Sequence, residues 1–154
     1  MDALDRYEER YYSIRAEAEA ERKRRQAQKA VRANLLEQGV KFHTFKIVNE
    51  EPRCIIGLVT VATVFIMGPN WGDPDRYKVA FAFCSPLDMA EYDLLYGEVK
   101  AGGRLMVEDR RKKAVYVIPE TGVFTIREIK EQILGYASMH EIKWMKNVTI
   151  EQIK

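Results

Sequence analysis

The sequence predicts an α+β fold: an antiparallel sheet of about five strands with two helices on one face, preceded by a long charged N-terminal helix. Three observations carry that expectation. Residues 2 to 38 run as one helical segment until Gly39, a residue suited to the left-handed conformation that closes a helix. Several runs rich in β-branched and aromatic residues then follow, divided by Gly, Pro, Asn and Asp. Two further stretches open with helix-capping residues. The 154 residues, 47% of them hydrophobic, suffice for one ordinary core. The expected organisation is therefore a helical arm over 1–38 and a globular body over 40–154.

The arm would be roughly 55 Å long at 1.5 Å per residue. Leu4, Tyr7, Tyr11, Ile14 and Ala18 give it an apolar stripe that continues into Glu21, Arg25 and Gln28, so the stripe ends where the basic run begins. Apolar residues resume at Ala27, Val31, Leu35 and Leu36. The middle of the helix has nothing to bury.

In the body, KFHTFKIV (41–48) and the long run CIIGLVTVATVFIM (54–67) read as a hairpin around a turn at 49–52. The second run is uncharged, but its fourteen residues fall short of the roughly 18 to 20 that a membrane-spanning helix needs. Its β-branched residues make it a buried strand, and Gly57 marks a bulge or bend. GPNWGDPD (68–75) is a loop, and RYKVAFAFCS (76–85) a third strand with Val79, Phe81 and Phe83 on one face. Ser85, Pro86 and Asp88 start a helix expected to run to about Ala101 and to stop at Gly102 and Gly103. RLMVE and AVYVIP are expected to form a second hairpin with the basic tip DRRKK (109–113). Thr125 and Glu128 form a capping box for a helix with Ile126, Ile129, Ile133, Leu134 and Ala137 on one face. Residues 140–154 fit a last short strand with a helical end.

Cys54 and Cys84 lie in apolar strand-like runs and are read as buried thiols of a reducing compartment. The charged N-terminus does not resemble a signal peptide, so a cytoplasmic protein of a bacterial host, with no membrane partner, is expected.

The stretch CSPLDMAEYDLLYGEVKAGGRL resembles a pattern found in small proteins of bacteriophages and related mobile elements. There a strand ends in Cys-Ser-Pro-x-Asp and the next helix in Gly-Arg-x-Ile-Ala-x-Gly-Arg-Leu. The matching residues are Cys84, Ser85, Pro86 and Asp88, then Gly97, Ala101, Gly103, Arg104 and Leu105. Glu98 stands where that pattern has Arg, Lys100 where it has Ile, and Ala90 where it has an aromatic. The segment is a strand-to-helix packing device and defines no chemistry. A basic helical arm ahead of a small α/β body also resembles some phage anti-CRISPR inhibitors of RNA-guided nucleases. That resemblance implies a non-enzymatic inhibitor or modulator of a nucleic-acid machine.

Catalytic patterns are sparse. His43 and His140 are the only imidazoles, and no nucleophile elbow, phosphate-binding loop or local Cys/His ligand pair occurs. No cofactor, metal site or catalytic residue is expected. The enzyme class that remains open is a metal-dependent nuclease built on Asp75 with Glu128 and Lys130, or with Glu141 and Lys143.

The net charge is only +2, so attraction to a polyanion has to come from local clustering. Residues 2–21 hold seven acids and three bases, whereas 22–32 hold six bases and no acid. Arg15, Arg22 and Lys29 recur at sevens, with Arg25 and Arg32 to one side and Lys23 and Arg24 on the flank, so they form a basic ridge. Such a ridge can follow the phosphates of RNA, DNA or a nucleoprotein surface. The same polarity also stabilises a plainly solvated helix. Arg110, Arg111, Lys112 and Lys113 form a second basic cluster, and Trp71 is a candidate anchor for a protein partner. A structural or assembly protein, oligomerising through Leu4, Tyr7, Tyr11 and Ile14, is the alternative.

Overall fold

A computed structural model describes residues 2–91, 93–106 and 114–153, with the side chains of 90 and 91 also left undescribed. The long helix, α1, spans Ala3–Glu37. Asp2 and Asp5 form a capping box at its start, and Gly39 at φ 88° lets the chain turn out of it. The strands β1 (Lys41–Glu50) and β2 (Arg53–Ile66) make the expected hairpin. Opposite Ile47 and Val48 the register slips, leaving Ile56 as an extra residue beside Gly57. A side chain at Gly57 would strike the indole of Trp144, so glycine at the bulge also seats that ring.

β3 (Arg76–Cys84) pairs with β2, a short 3-10 helix covers Pro86–Glu91, and α2 spans Leu94–Met106. β4 (Ala114–Val117) lies along β3, α3 spans Ile126–Met139, and β5 (Val148–Gln152) lies along β1. The result is a five-stranded antiparallel sheet in the order β4-β3-β2-β1-β5. The α+β class, the five strands and the long N-terminal helix are therefore present as expected.

The two body helices, however, lie on opposite faces of the sheet rather than on one. Strand side chains alternate, so Val79 and Phe81 of β3 join Phe45, Ile47, Val59 and Val61 under Ile129, Ile133 and Ala137 of α3. Ala80 and Ala82 point the other way, joining Ala62 against Ala101 and Leu105 of α2, with Leu35 of α1 and Val40. Both faces of β3 are apolar, and the small alanines of the second face let α2 lie close to the sheet.

Other expectations fail locally. Gly102 and Gly103 sit inside α2, and Arg104 to Met106, read as the start of a hairpin strand, form its last turn. A Cβ on Gly102 would collide with Leu35 Cδ1, whereas one on Gly103 would meet open space. The first glycine is thus a point of helix approach and not a stop signal. The basic tip Arg110, Arg111, Lys112 and Lys113 lies outside the described residues. Cys54, expected to be buried, is exposed, while Cys84 is buried, and both are free thiols. At the C-terminal end the short strand forms, but the helical turn precedes it, as a 3-10 helix at Lys143–Met145.

Candidate functional site

The basic segment of α1 is divided between two tasks. Its body-facing side carries Arg25, Gln28, Arg32 and Leu35, spaced three and four residues apart so that they share one helix face. Arg25 Nη1 donates to Asp93 Oδ2 at 2.9 Å, and Arg32 Nε donates to Glu98 Oε2 at 2.8 Å. Leu35 packs at Gly102. As residue numbers rise along α1 they rise along α2 at the contacts, so the two helices run parallel. Arg25 meets the very start of α2, where Asp93 Oδ1 also accepts from the Leu95 N–H at 3.0 Å as the helix cap.

Glu98 is only 6% exposed, on the same face of α2 as buried Leu95, Ala101 and Leu105. A carboxylate placed there needs a cation, since an unpaired buried charge is costly. Arg32 supplies it, and also lies over the Phe42 ring at 5.8 Å. Two residues of the predicted polyanion ridge thus serve as the clamp between arm and body. The acid on an otherwise apolar helix face was the signal in the sequence for that clamp.

Among the remaining cations, Arg24 pairs with Glu21, and Arg15 lies 3.8 Å from Glu19. Arg22, Lys23 and Lys29 are exposed and make no ion pair with any described residue. Above them, every residue from 2 to 27 is exposed, and the stripe residues Leu4, Tyr7, Tyr11 and Ile14 retain 53 to 68% of their surface. The ridge therefore comes together only in part, beside an apolar stripe with no cover.

A cleft of about 520 Å³ lies under the arm, lined by Arg24, Gln28, Cys84, Asp88, Asp93 and Lys100 among others. Its charged groups are engaged: Ser85 Oγ donates to Asp88 Oδ2 at 2.8 Å, Asp93 caps α2, and the Lys100 ammonium sits 5.8 Å from the Tyr96 ring. Burial, reinforced by the negative charge of Asp88, pushes the Cys84 thiol above its ordinary pKa, the reverse of what a nucleophile requires. Burial and the nearby Lys41 lower the pKa of His43, which lies in β1 opposite Val61. His140 stacks on Tyr136 at 4.1 Å at the end of α3.

Two of the three acids considered for a nuclease, Glu128 and Asp75, have local duties. Glu128 closes the capping box with Thr125, and Asp75 Oδ1 accepts from the Gly68 N–H at 3.0 Å. Among the described residues no three His, Cys, Asp or Glu side chains converge on a point that could hold a metal ion. Asp73 Oδ2 likewise accepts from the Asn70 N–H at 3.0 Å, which shapes the 68–75 loop and leaves Trp71 fully exposed at its tip. No described helix is long and apolar enough to cross a membrane.

No family model, no curated protein and no solved structure matches this chain.

Proposed function

We propose that this protein is a non-catalytic binding protein whose working element is α1, and that its target is the phosphate-rich surface of an RNA, a DNA or a nucleoprotein. The observation that carries the reading is the trio Arg22, Lys23 and Lys29, exposed and without an ion pair to any described residue, on a stretch that has no acid from 22 through 36. Three such cations on a rigid rod can replace condensed counterions along a nucleic-acid backbone. Inhibition or modulation of a nucleic-acid machine is the role such docking would serve, in line with the resemblance to phage anti-CRISPR inhibitors.

The test is the triple variant Arg22→Gln/Lys23→Gln/Lys29→Gln, which keeps helix propensity and leaves the Arg25 and Arg32 clamps intact. Binding to a single-stranded RNA and to a duplex DNA, each about 30 nucleotides long, is measured by anisotropy across a salt series. For every phosphate that the variant no longer neutralises, the log-log salt slope should flatten by about 0.7 to 0.9. An unchanged affinity and slope in the variant, or no binding by the native chain at low salt, removes the reading.

A second reading, assembly through the arm, is favoured by the uncovered stripe of Leu4, Tyr7, Tyr11 and Ile14. Four large apolar residues at heptad spacing gain little on a solitary helix, whose stability depends on tertiary burial.

A further inference from the structure

The stripe on the upper arm is the continuation of an interface that the body already uses. Tyr7 and Arg25, like Ile14 and Arg32, are 18 residues apart, which is five whole turns at 3.6 residues per turn. Each pair thus shares one azimuth along α1. On that line α2 covers the helix from Arg25 to Leu35, with its cap residue Asp93 opposite Arg25. From Leu4 to Glu21 the same seam is bare.

We infer that a second copy of this chain fills the bare seam, its α1 running antiparallel so that Tyr11 packs on Ile14 and Tyr7 on Ala18 of that copy. The inference rests on the assembly reading and specifies its partner, direction and register. Three alignments preserve the heptad seam, and two of them fail on residues of this chain. Setting Tyr7 against Tyr11 leaves Ala18 and Glu21 uncovered, and it brings Glu8 to Glu8 and Arg10 to Arg10 across the pair. Sliding one heptad the other way drives the incoming helix into the place of α2.

The alignment between them brings the start of the second α1 level with Arg22 and Lys23, just short of Asp93, so the incoming arm and α2 together cover the seam from end to end. It also sets Glu8 against Arg15 of the second copy, and Arg10 against Glu17 of the second copy. By symmetry each contact occurs twice, giving four opposite-charge pairs flanking the core. The acidic first turn, Asp2 and Asp5, comes beside the basic run that starts at Arg22. A parallel, in-register pair would instead place Arg10 against Arg15 on both flanks, which offsets its Glu17 to Arg22 contacts and leaves no net gain from charge.

Sedimentation equilibrium of the full chain, from micromolar to millimolar concentration, tests this. The mass should rise from the 17.9 kDa of one chain towards twice that value, and Tyr11→Ala should hold it at one chain. Arg15→Glu turns two attractive contacts into repulsive ones and should weaken the dimer roughly tenfold. Glu8→Arg/Arg15→Glu exchanges the charges and should restore affinity to within about threefold, with helix content by circular dichroism confirming that the variants fold. Tightening by Arg15→Glu would mean a parallel pair and overturn the inference. Dimerisation that Tyr11→Ala abolishes but that ignores the charges would sink the register and leave assembly through the arm standing. One-chain mass at every concentration, or a dimer indifferent to Tyr11→Ala, would overturn both.

Discussion

The two halves of α1 are made from the same residue types and do opposite things. From Arg25 to Leu35 the helix is held by two ion pairs and one buried leucine, while from Ala3 to Arg24 it is exposed throughout. The large apolar side chains are mostly in the free half, while the anchored half is held chiefly by two arginines, which inverts the usual assignment of grease to the core and charge to water. What decides the matter is the surface opposite. α2 offers a buried acid, a cap acid and a glycine, and these suit two arginines and one leucine. The same difference brings the stretch of α1 from Arg25 to Leu35 into contact with the body.

Truncation and core substitution give the largest contrast between the halves. Leu35 is 5% exposed and belongs to the core cluster under α2, so Leu35→Ala should cost about 3 kcal/mol by denaturant unfolding. Tyr11→Ala, measured at concentrations where the chain is monomeric, should stay within about 0.5 kcal/mol. Chains beginning at residue 25 should melt like the full protein, and chains beginning at 40 should melt distinctly lower. Equal melting of the two truncations would place α1 outside the fold altogether.

Charge removal comes next. Arg32→Ala strands the carboxylate of Glu98, and since Arg32 is itself partly solvated the expected loss is about 2 kcal/mol, below that of a fully buried pair. Arg22→Ala, in the same basic segment but off the clamp, should change stability by no more than about 0.5 kcal/mol. A similar loss from both would show that the ion pair with Glu98 is not what holds the helix.

The smallest contrast is carried by the two glycines of α2. Gly103→Ala adds a methyl into open space and reduces the freedom of the unfolded chain, which should stabilise by about 0.5 to 1 kcal/mol. Gly102→Ala makes the same backbone gain but pushes against Leu35, and should fall about 1 to 2 kcal/mol below its neighbour. Equal effects at the two positions would mean that Leu35 yields without cost.

Much of this is legible from local signals. The capping box at Thr125 and Glu128, the β-branched run of β2, the bulge at Gly57 and the left-handed exit at Gly39 are each written within a few residues of where they act. What escapes depends on residues far apart in the chain. A glycine that halts a helix and a glycine that admits Leu35 look alike until the partner is known, and the same holds for an arginine facing water and one facing Glu98. The sidedness of the helices is written in β3, where Val79, Phe81 and Phe83 alternate with Ala80, Ala82 and Cys84. A strand apolar on both faces needs cover on both. Taking only the larger side chains as its buried face puts both helices on one side. Cys54 departs from expectation for a related reason, because it stands at the turn-proximal end of a long strand whose buried portion begins further on.

The clamp also makes α1 a lever. From Arg25 to Ala3 the helix extends about 33 Å at 1.5 Å per residue, so a tilt of only about 5° at the clamp would carry its tip through about 3 Å. Whatever grips the tip therefore acts on the Arg25 and Arg32 contacts with a long mechanical advantage. A pull at Tyr7 is felt at Glu98, and through Glu98 by the α2 face of the sheet.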